Sequence, residues 1–263
     1  MSAMPVLRAL ILAAGRGERM RPLTDHTPKP LLSVHAKPLI EWHLEALARD
    51  GVREVVINTA WLEEQIVAAL GDGARWGLSI RYSMEGRDHG GALETAGGIA
   101  KALPLLVDHD DDAFWLVSGD IHAPAFCFNP ATAQRFRQSS AAAHLWLVPN
   151  PPFHPKGDFG LDATGHGLAD PGDAASVDGA SWTYANLALC RATLCAHISP
   201  GTRVALAPLL FAGMRQRHIT AEVYRGRWEN LGTPAQIHAL NLEPLIRPKG
   251  WRGRATQPRH PEL

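Results

Sequence analysis

Short apolar runs alternate with amphipathic segments over the first half of the chain. Four runs have the length and character of buried strands, and they cover residues 6–13, 54–60, 78–85 and 113–120. Three intervening segments carry apolar residues at helical spacing, and they cover residues 38–51, 61–73 and 94–106. This alternation predicts a doubly wound α/β fold, with a mostly parallel sheet and helices on both of its faces.

The pattern of the second half predicts a smaller, β-rich part. Strand character returns at residues 141–150 and 181–190, and residues 219–232 fit a strand or a pair of strands. Residues 150–174 are rich in Gly, Pro and Asp, which favours turns or short hairpins. Two further segments predict helices, at residues 204–218 and 234–246.

The same pattern suggests how the chain is divided. We expect one domain over residues 1–246, with one half ending at about residue 120 and the other covering residues 121–246. Residues 247–263 are basic and rich in proline, so we expect a frayed tail there.

Composition narrows the class of protein. The chain has 263 residues, 46% of them hydrophobic, which favours one sizeable core over two small ones. Its formal net charge is zero, so bulk electrostatics do not indicate a nucleic-acid partner. Its three cysteines lack metal-binding spacing and are typical of buried thiols in a reducing cytosol. We expect a cytoplasmic protein with no signal peptide and no membrane span, because the apolar N-terminal stretch is short and interrupted by Arg8.

Positive charge and small residues follow the first predicted strand directly. Gly15 and Gly17 would let backbone N–H groups approach an anion closely, while Arg19 and Lys29 would add charge. This combination suits a nucleoside triphosphate, although a glycine turn after a strand is also a common tight connection. The run lacks the third glycine of a dinucleotide fingerprint and the Gly-Lys-Ser/Thr of a Walker A loop. A phosphate-binding loop of another kind is therefore needed.

The stretch LAAGRGERMRPLTDHTPKPLL, residues 12–32, resembles the signature of the sugar-1-phosphate nucleotidylyltransferases. The resemblance extends over residues 7–246 and includes ALETAGGI, LVSGD, HPKGDF and YRGRWENLGTP. It implies a Rossmann-like nucleotidyltransferase fold and a Mg²⁺-dependent transfer of a nucleotidyl group from an NTP to a sugar-1-phosphate, which releases pyrophosphate. Within the family the chain looks most like the short bacterial N-acetylmuramate-1-phosphate uridylyltransferases of peptidoglycan recycling, which use UTP. The alternatives are mannose-1-phosphate with GTP, and glucose-1-phosphate with UTP or dTTP.

The resemblance also implies roles for individual residues. Arg19 and Lys29 would be the catalytic cations at the phosphates. The nucleotide would be held by Ala13, Ala14, Gly15, Gly17, Glu18, Arg19, Lys29, Glu85, Thr95, Gly97 and Ser118. The segment around Glu85, Thr95 and Gly97 would recognise the base.

The metal and the sugar have their own candidates. Asp120 ends a predicted strand and would bind Mg²⁺ together with Asn230, which stands where many relatives have Asp. Lys156, Asp158 and Asn186 would contact the sugar, although Asp and Asn also stabilise turns without any ligand.

Two hypotheses from other classes remain. A non-catalytic sensor of nucleotides or sugar nucleotides is motivated by Asn230 and by Ser118, which stands where relatives more often have Asn. The intact Arg19, Lys29 and Asp120 argue against it, since a binder would not need cations for a leaving group. A dinucleotide-dependent oxidoreductase would need the missing third glycine.

Overall fold

The computed structural model describes residues 8–108 and 112–245. The strands of these residues are β1 (Arg8–Leu12), β2 (Ser33–Val34), β3 (Lys37–Pro38), β4 (Glu54–Thr59), β5 (Ser79–Met84), β6 (Ala113–Ser118), β7 (Ile121–His122), β8 (Ala143–Val148), β9 (Phe159–Asp162), β10 (Gly167–Leu168), β11 (Ser176–Arg191), β12 (Ile219–Val223) and β13 (Glu229–Asn230). The helices are α1 (Leu39–Arg49), α2 (Glu63–Leu70), α3 (Glu85–His89), α4 (Glu94–Leu106), α5 (Pro130–Gln138), α6 (Ala207–Arg215) and α7 (Pro234–Leu242). Within this described part, no helix is both long enough and apolar enough to cross a membrane.

One large sheet organises the fold. Its order is β10-β9-β11-β6-β1-β4-β5, and β8 pairs with both β11 and β12. Strands β6, β1, β4 and β5 run parallel, whereas β11 is antiparallel to β6, β8 and β9. The prediction of a doubly wound, mostly parallel sheet with a smaller β-rich part is confirmed.

Successive strands are added on one side of β1 first and on its other side afterwards, so the strand order reverses at β1. The path from β1 through β4 to β5 leads to one edge, and β6 then pairs on the other side of β1. Both strands end level, because Leu12 lies opposite Ser118. Ligands of open α/β sheets bind where such a reversal occurs, beyond the carboxyl ends of the strands.

Apolar side chains fill both faces of the sheet. In β1, Ala9 and Ile11 face one buried cluster and Leu10 faces the other, as the two-residue repeat of a strand requires. A strand buried on both faces becomes a continuous apolar run, which is why pattern alone located β1, β4 and β6.

The predicted elements of the first half are confirmed, and α4 has the predicted bounds, Glu94–Leu106. Residues 219–232 form two strands, of which β13 pairs with β7 outside the main sheet. Helix α5 was not predicted, although the Asn129 side chain caps it and Pro130 begins it. The predicted tail at residues 247–263 lies outside the described residues, and the division at residue 120 stays a prediction.

Candidate active site

The glycine loop and Asp120 meet at the reversal point of the sheet. Residues 13–17 follow β1 directly, and Asp120 lies two residues beyond the end of the neighbouring strand β6. Gly119 lets these segments approach, because its N–H donates to Leu12 O at 2.8 Å and a Cβ on it would lie 2.7 Å from that oxygen. The sheet therefore brings together residues that sequence alone could place only separately.

The backbone conformation of the glycine loop is restricted at Gly17. Gly17 has φ +68°, and a Cβ there would meet Thr24 Cγ2 at 3.0 Å and Lys29 Cβ at 3.3 Å. The Thr24 hydroxyl donates to Gly17 O at 2.8 Å. Gly15 instead is exposed, and nothing lies within 4 Å of a Cβ built on it. The loop is thus anchored at Gly17 and open at Gly15.

Arg16 stabilises the conformation of this loop, a role that the sequence analysis did not predict. Its guanidinium donates to Thr24 O at 2.9 Å and to Asp25 Oδ1 at 3.2 Å. It also lies 3.5 Å from the ring centroid of Trp61, whose indole N–H donates to the same Thr24 oxygen. A second arginine beside the glycines was the available signal, but the pattern did not indicate that it would contact Thr24, Asp25 and Trp61.

Lys29 and Asp120 form the central ion pair of the site. Lys29 is 9% exposed, and its Nζ lies 2.8 Å from Asp120 Oδ2. The Ser118 hydroxyl donates to Asp120 Oδ1 at 2.9 Å. Pro28 and Pro30 flank Lys29 and restrict its backbone, because the proline ring fixes φ. The structure therefore holds one cation and one carboxylate side by side.

Arg19 is an exposed arginine without an acidic partner among the described residues. In contrast, Arg16 and Arg21 both pair with Asp25. A Cβ on Gly232 would lie 3.3 Å from an Arg19 guanidinium nitrogen, so Arg19 lies against the segment that follows Asn230. Its five donors are therefore available to an anionic ligand.

Two adjoining cavities lie at this end of the sheet. The polar cavity has a volume of about 580 Å³, and its lining includes Gly15, Gly17, Glu18, Lys29 and Asp120. The apolar cavity has a volume of about 550 Å³, and its lining includes Phe153, Phe159, Leu206, Leu210 and Phe211. Both linings share Leu12, Arg19, Thr95 and Ser118.

The predicted nucleotide residues do not all line the polar cavity. Ala14 does, whereas Ala13 is buried and its N–H donates to Asn58 Oδ1 at 2.7 Å. Thr95 lines both cavities at the start of α4. Gly97 is buried in α4, where a Cβ would lie 2.2 Å from Thr202 O. Gly97 is thus required for close packing of the backbone at this point.

Glu85 is fully buried at the edge of the polar cavity. Its Oε1 accepts from Asn58 Nδ2 and its Oε2 from Leu93 N–H, each at 2.7 Å. Burial raises the pKa of Glu85, and these two donors oppose that change. Asn58, at the end of β4, was not predicted, although a polar residue ending a buried strand is a recognisable signal.

The predicted sugar residues lie around the apolar cavity or outside it. Asp158 lines the cavity, but its Oδ2 accepts from Tyr184 N–H at 2.8 Å and its Oδ1 lies 3.0 Å from His154 Nε2. Asn186 lines it at a bulge of β11, with φ +58°. Lys156 is exposed and does not belong to the lining of either cavity in the described part of the chain.

Asn230 also lines the apolar cavity, next to the Asp120 backbone, because Leu231 N–H donates to Asp120 O at 3.0 Å. Its side-chain oxygen Oδ1 is buried and has no hydrogen-bond partner among the described residues. Buried polar atoms are rarely left unpaired, so this oxygen is open to a water molecule or a ligand. The described residues contain no cluster of three or more His, Cys, Asp or Glu side chains that could hold a metal alone.

Comparison with known proteins identifies the family of this chain. Residues 8–169 match the family described as nucleotidyl transferase. The chain is 45% identical over 233 residues to the N-acetylmuramate alpha-1-phosphate uridylyltransferase of Neisseria meningitidis serogroup B, covering 88% of this chain and 95% of that protein. The chain belongs to the nucleotidyl transferase family. The family predicted from residues 12–32 is thereby confirmed, and so is the prediction of an enzyme.

Two further similarities extend over most of this nucleotidyltransferase. The N-acetylmuramate alpha-1-phosphate uridylyltransferase of Caulobacter vibrioides is 30% identical over 233 residues, covering 86% of this chain and 92% of that protein. A Bacillus anthracis structure assigned as a glucose-1-phosphate thymidylyltransferase superposes with a TM-score of 0.72 at 19% identity. It covers 90% of this chain and 94% of that chain, which confirms the fold.

Proposed function

We propose that this nucleotidyltransferase transfers a uridylyl group from UTP to N-acetylmuramate-1-phosphate, giving UDP-N-acetylmuramate and pyrophosphate in a Mg²⁺-dependent reaction. Two relatives that match nearly the whole chain carry that activity in their names. The observation that carries the proposal is the position of Arg19, an unpaired cation shared by the polar and the apolar cavity of the described chain. Such a junction suits a reaction in which two phosphorylated substrates have to meet.

The proposed reaction needs positioning rather than a protein base. An oxygen of the sugar phosphate, already ionised at neutral pH, attacks the α-phosphorus of UTP. The bond from this phosphorus to the bridging oxygen breaks, and pyrophosphate leaves with the electron pair. Arg19 and Lys29 offset the repulsion between the two polyanions and stabilise the charge that develops on the leaving group.

The glycine loop and Lys29 form the triphosphate side of this arrangement. Residues 14–17 line an open space, and the exposed Gly15 would let a phosphate approach the backbone N–H groups without side-chain contact. Lys29 is held 2.8 Å from Asp120 Oδ2, so its ammonium is oriented before a ligand arrives. Such preorganisation lowers the reorganisation needed in the transition state.

The oxygen donors of Asp120 and Asn230 are of the types that suit a Mg²⁺ ion. One carboxylate and one amide oxygen are a typical protein contribution, since Mg²⁺ takes its other ligands from phosphates and water. The Asn230 side-chain oxygen has no hydrogen-bond partner in the described chain. The partly exposed Asp120 carboxylate accepts from Lys29 and Ser118 and keeps further lone pairs for a metal ion. When bound, the ion would neutralise phosphate charge during transfer.

The apolar cavity provides the sugar side. Phe153, Phe159 and Phe211 offer apolar faces that suit a sugar ring bearing alkyl groups, such as the acetyl and lactyl methyls of N-acetylmuramate. We assign Asn186 and Asp158 to contacts with sugar hydroxyl or amide groups. The exposed Lys156 would meet the lactyl carboxylate beyond the cavity rim.

Pyrophosphate release tests the proposal directly. UTP, GTP, dTTP, ATP and CTP are each paired with the 1-phosphates of N-acetylmuramate, glucose, mannose and N-acetylglucosamine, with and without Mg²⁺. We expect release from UTP with N-acetylmuramate-1-phosphate, in the presence of Mg²⁺ only. Release from another pair alone would overturn the substrate assignment. Tight nucleotide binding without release from any pair would favour a sensor.

A further inference from the structure

Four chain segments around the polar cavity, which contain Ala13, Asn58, Glu85 and Leu93, are joined by one line of hydrogen bonds. Ala13 N–H, directly after β1, donates to Asn58 Oδ1, and Asn58 Nδ2, near the end of β4, donates to Glu85 Oε1. Leu93 N–H, just before α4, donates to Glu85 Oε2. All three distances are 2.7 Å, and both polar side chains belong to buried residues, with Asn58 3% exposed and Glu85 0% exposed.

The direction of every bond in this line is fixed. A backbone N–H can only donate, so the Asn58 oxygen has to face Ala13 and its NH₂ group has to face Glu85. Glu85 then receives two donors, and a carboxylate can accept at both of its oxygens. The hydrogen bonds therefore require an amide side chain at position 58 when position 85 carries a carboxylate.

The neighbouring helix leaves room for this line through a glycine. A Cβ on Gly98 of α4 would lie 2.6 Å from Glu85 Oε1 and 2.7 Å from Asn58 Nδ2. Any larger residue at this position would displace the bond between the two side chains. The helix thus packs directly on the buried polar pair.

We infer that Glu85 is a positioning residue and does not contact the nucleotide base. It acts through Asn58 and the Leu93 N–H, and these contacts set the distance between the glycine loop and the start of α4. Both oxygens of Glu85 accept hydrogen bonds from the protein and the residue is 0% exposed, so no accessible oxygen is presented to a base edge. The inference rests on the proposed function, because it takes the polar cavity to be the nucleotide site. Asn58 is a positioning residue as well, because it links Glu85 to the Ala13 N–H.

The decisive experiment exchanges the two side-chain types. In Glu85→Gln a single acceptor faces two donors, so one buried N–H stays unpaired. In Asn58→Asp two carboxylates face each other and compete for a proton. In the double variant the carboxylate introduced at position 58 can accept from Ala13 N–H and from the amide introduced at position 85. The oxygen of that amide can still accept from Leu93 N–H. The whole line is restored with the same net charge.

We measure the KM for UTP and for the sugar phosphate in pyrophosphate release, together with thermal unfolding. Each single variant should raise the KM for UTP about tenfold or more. The unpaired donor in Glu85→Gln and the two facing carboxylates in Asn58→Asp would each disturb the spacing between the glycine loop and the start of α4. The KM for the sugar phosphate should change little. The double variant should return to within about threefold of the wild-type KM, because its hydrogen bonds are again complete. If a single variant does not fold, the KM for UTP of the folded double variant can still be compared with that of the wild type.

Glu63→Gln is the matched control. Glu63 is another buried glutamate, which accepts from Arg87 N–H at 2.7 Å and from the Thr59 hydroxyl at 3.2 Å. A hydroxyl can also accept, so an amide at position 63 leaves no donor unpaired, and we expect the wild-type KM for UTP. A double variant as impaired as Glu85→Gln would overturn the inference and favour direct base reading. An inactive wild-type enzyme would instead refute the proposed function, so the two failures are distinguishable.

Discussion

Replacing Lys29 with Met separates the charge of this residue from its packing. The buried stem of Lys29 lies beside Gly17, and the unbranched Met side chain can occupy the same space. The substitution removes the ammonium that lies 2.8 Å from Asp120 Oδ2. The Ser118 hydroxyl remains as a donor to this carboxylate. The perturbation is therefore the loss of one oriented cation from the polar cavity.

The structure predicts a small effect of this change on stability and a large effect on rate. The Asp120 side chain is 34% exposed, so water replaces the lost donor and the free energy of unfolding falls by about 1 kcal/mol or less. For a chain of this size that is a decrease in Tm of about 2–4 °C at most. Loss of one preorganised donor at developing charge lowers kcat by about 10²–10³.

Pyrophosphate release and thermal unfolding are measured on the same preparations, with Lys37→Met as the control. Lys37 has the same side-chain exposure as Lys29, 11%, and its Nζ lies 2.6 Å from Glu45 Oε2, but it lines neither cavity of the described chain. The control should keep kcat within about threefold of the wild-type value, since no reacting group is nearby. Equal losses of kcat in both variants, or a Lys29→Met enzyme with wild-type kcat, would refute the reasoning.

Three further substitutions test other parts of the site and the core. Arg19→Ala should lower kcat by about 10²–10³, because it removes an unpaired guanidinium. Its Tm should stay nearly unchanged, because the residue is exposed. An unchanged kcat would contradict the role of Arg19. Asn230→Asp should lower the Mg²⁺ concentration for half-maximal pyrophosphate release about threefold or more, because a carboxylate adds charge to the proposed metal site; an unchanged or higher requirement would argue against it. Burial lowers the pKa of His43 to about 4, while the unfolded chain protonates near its ordinary value of about 6.5. Stability should therefore fall as the pH drops through this interval, and His43→Gln, which keeps a donor for Ile121 O, should flatten the fall in thermal unfolding.

Local pattern was sufficient where an element carries its own periodicity and end signals. Helix α4 was predicted with its observed bounds, and the predicted strand at 54–60 differs from β4, Glu54–Thr59, by one residue. Helix α5 was missed because it is mainly polar, with only Ala133 and Phe136 buried. The long strand β11 was predicted only in part, since its exposed and bulged portion lacks the regular alternation of a half-buried strand.

The sequence by itself determined the order of strands and helices, the glycine loop and the cations that follow it. These features are local, since hydrophobic periodicity and backbone preference act over a few neighbouring residues. Only the tertiary structure decided which groups pair. Lys29 meets Asp120 across 91 positions, and Asn58 meets Glu85 across 27. Such partners depend on which strands end side by side in the sheet, and a buried acceptor takes whichever donor the packing brings to it. For this reason the sequence could name Glu85 as a site residue, while its two hydrogen bonds within the folded chain indicate what it does there.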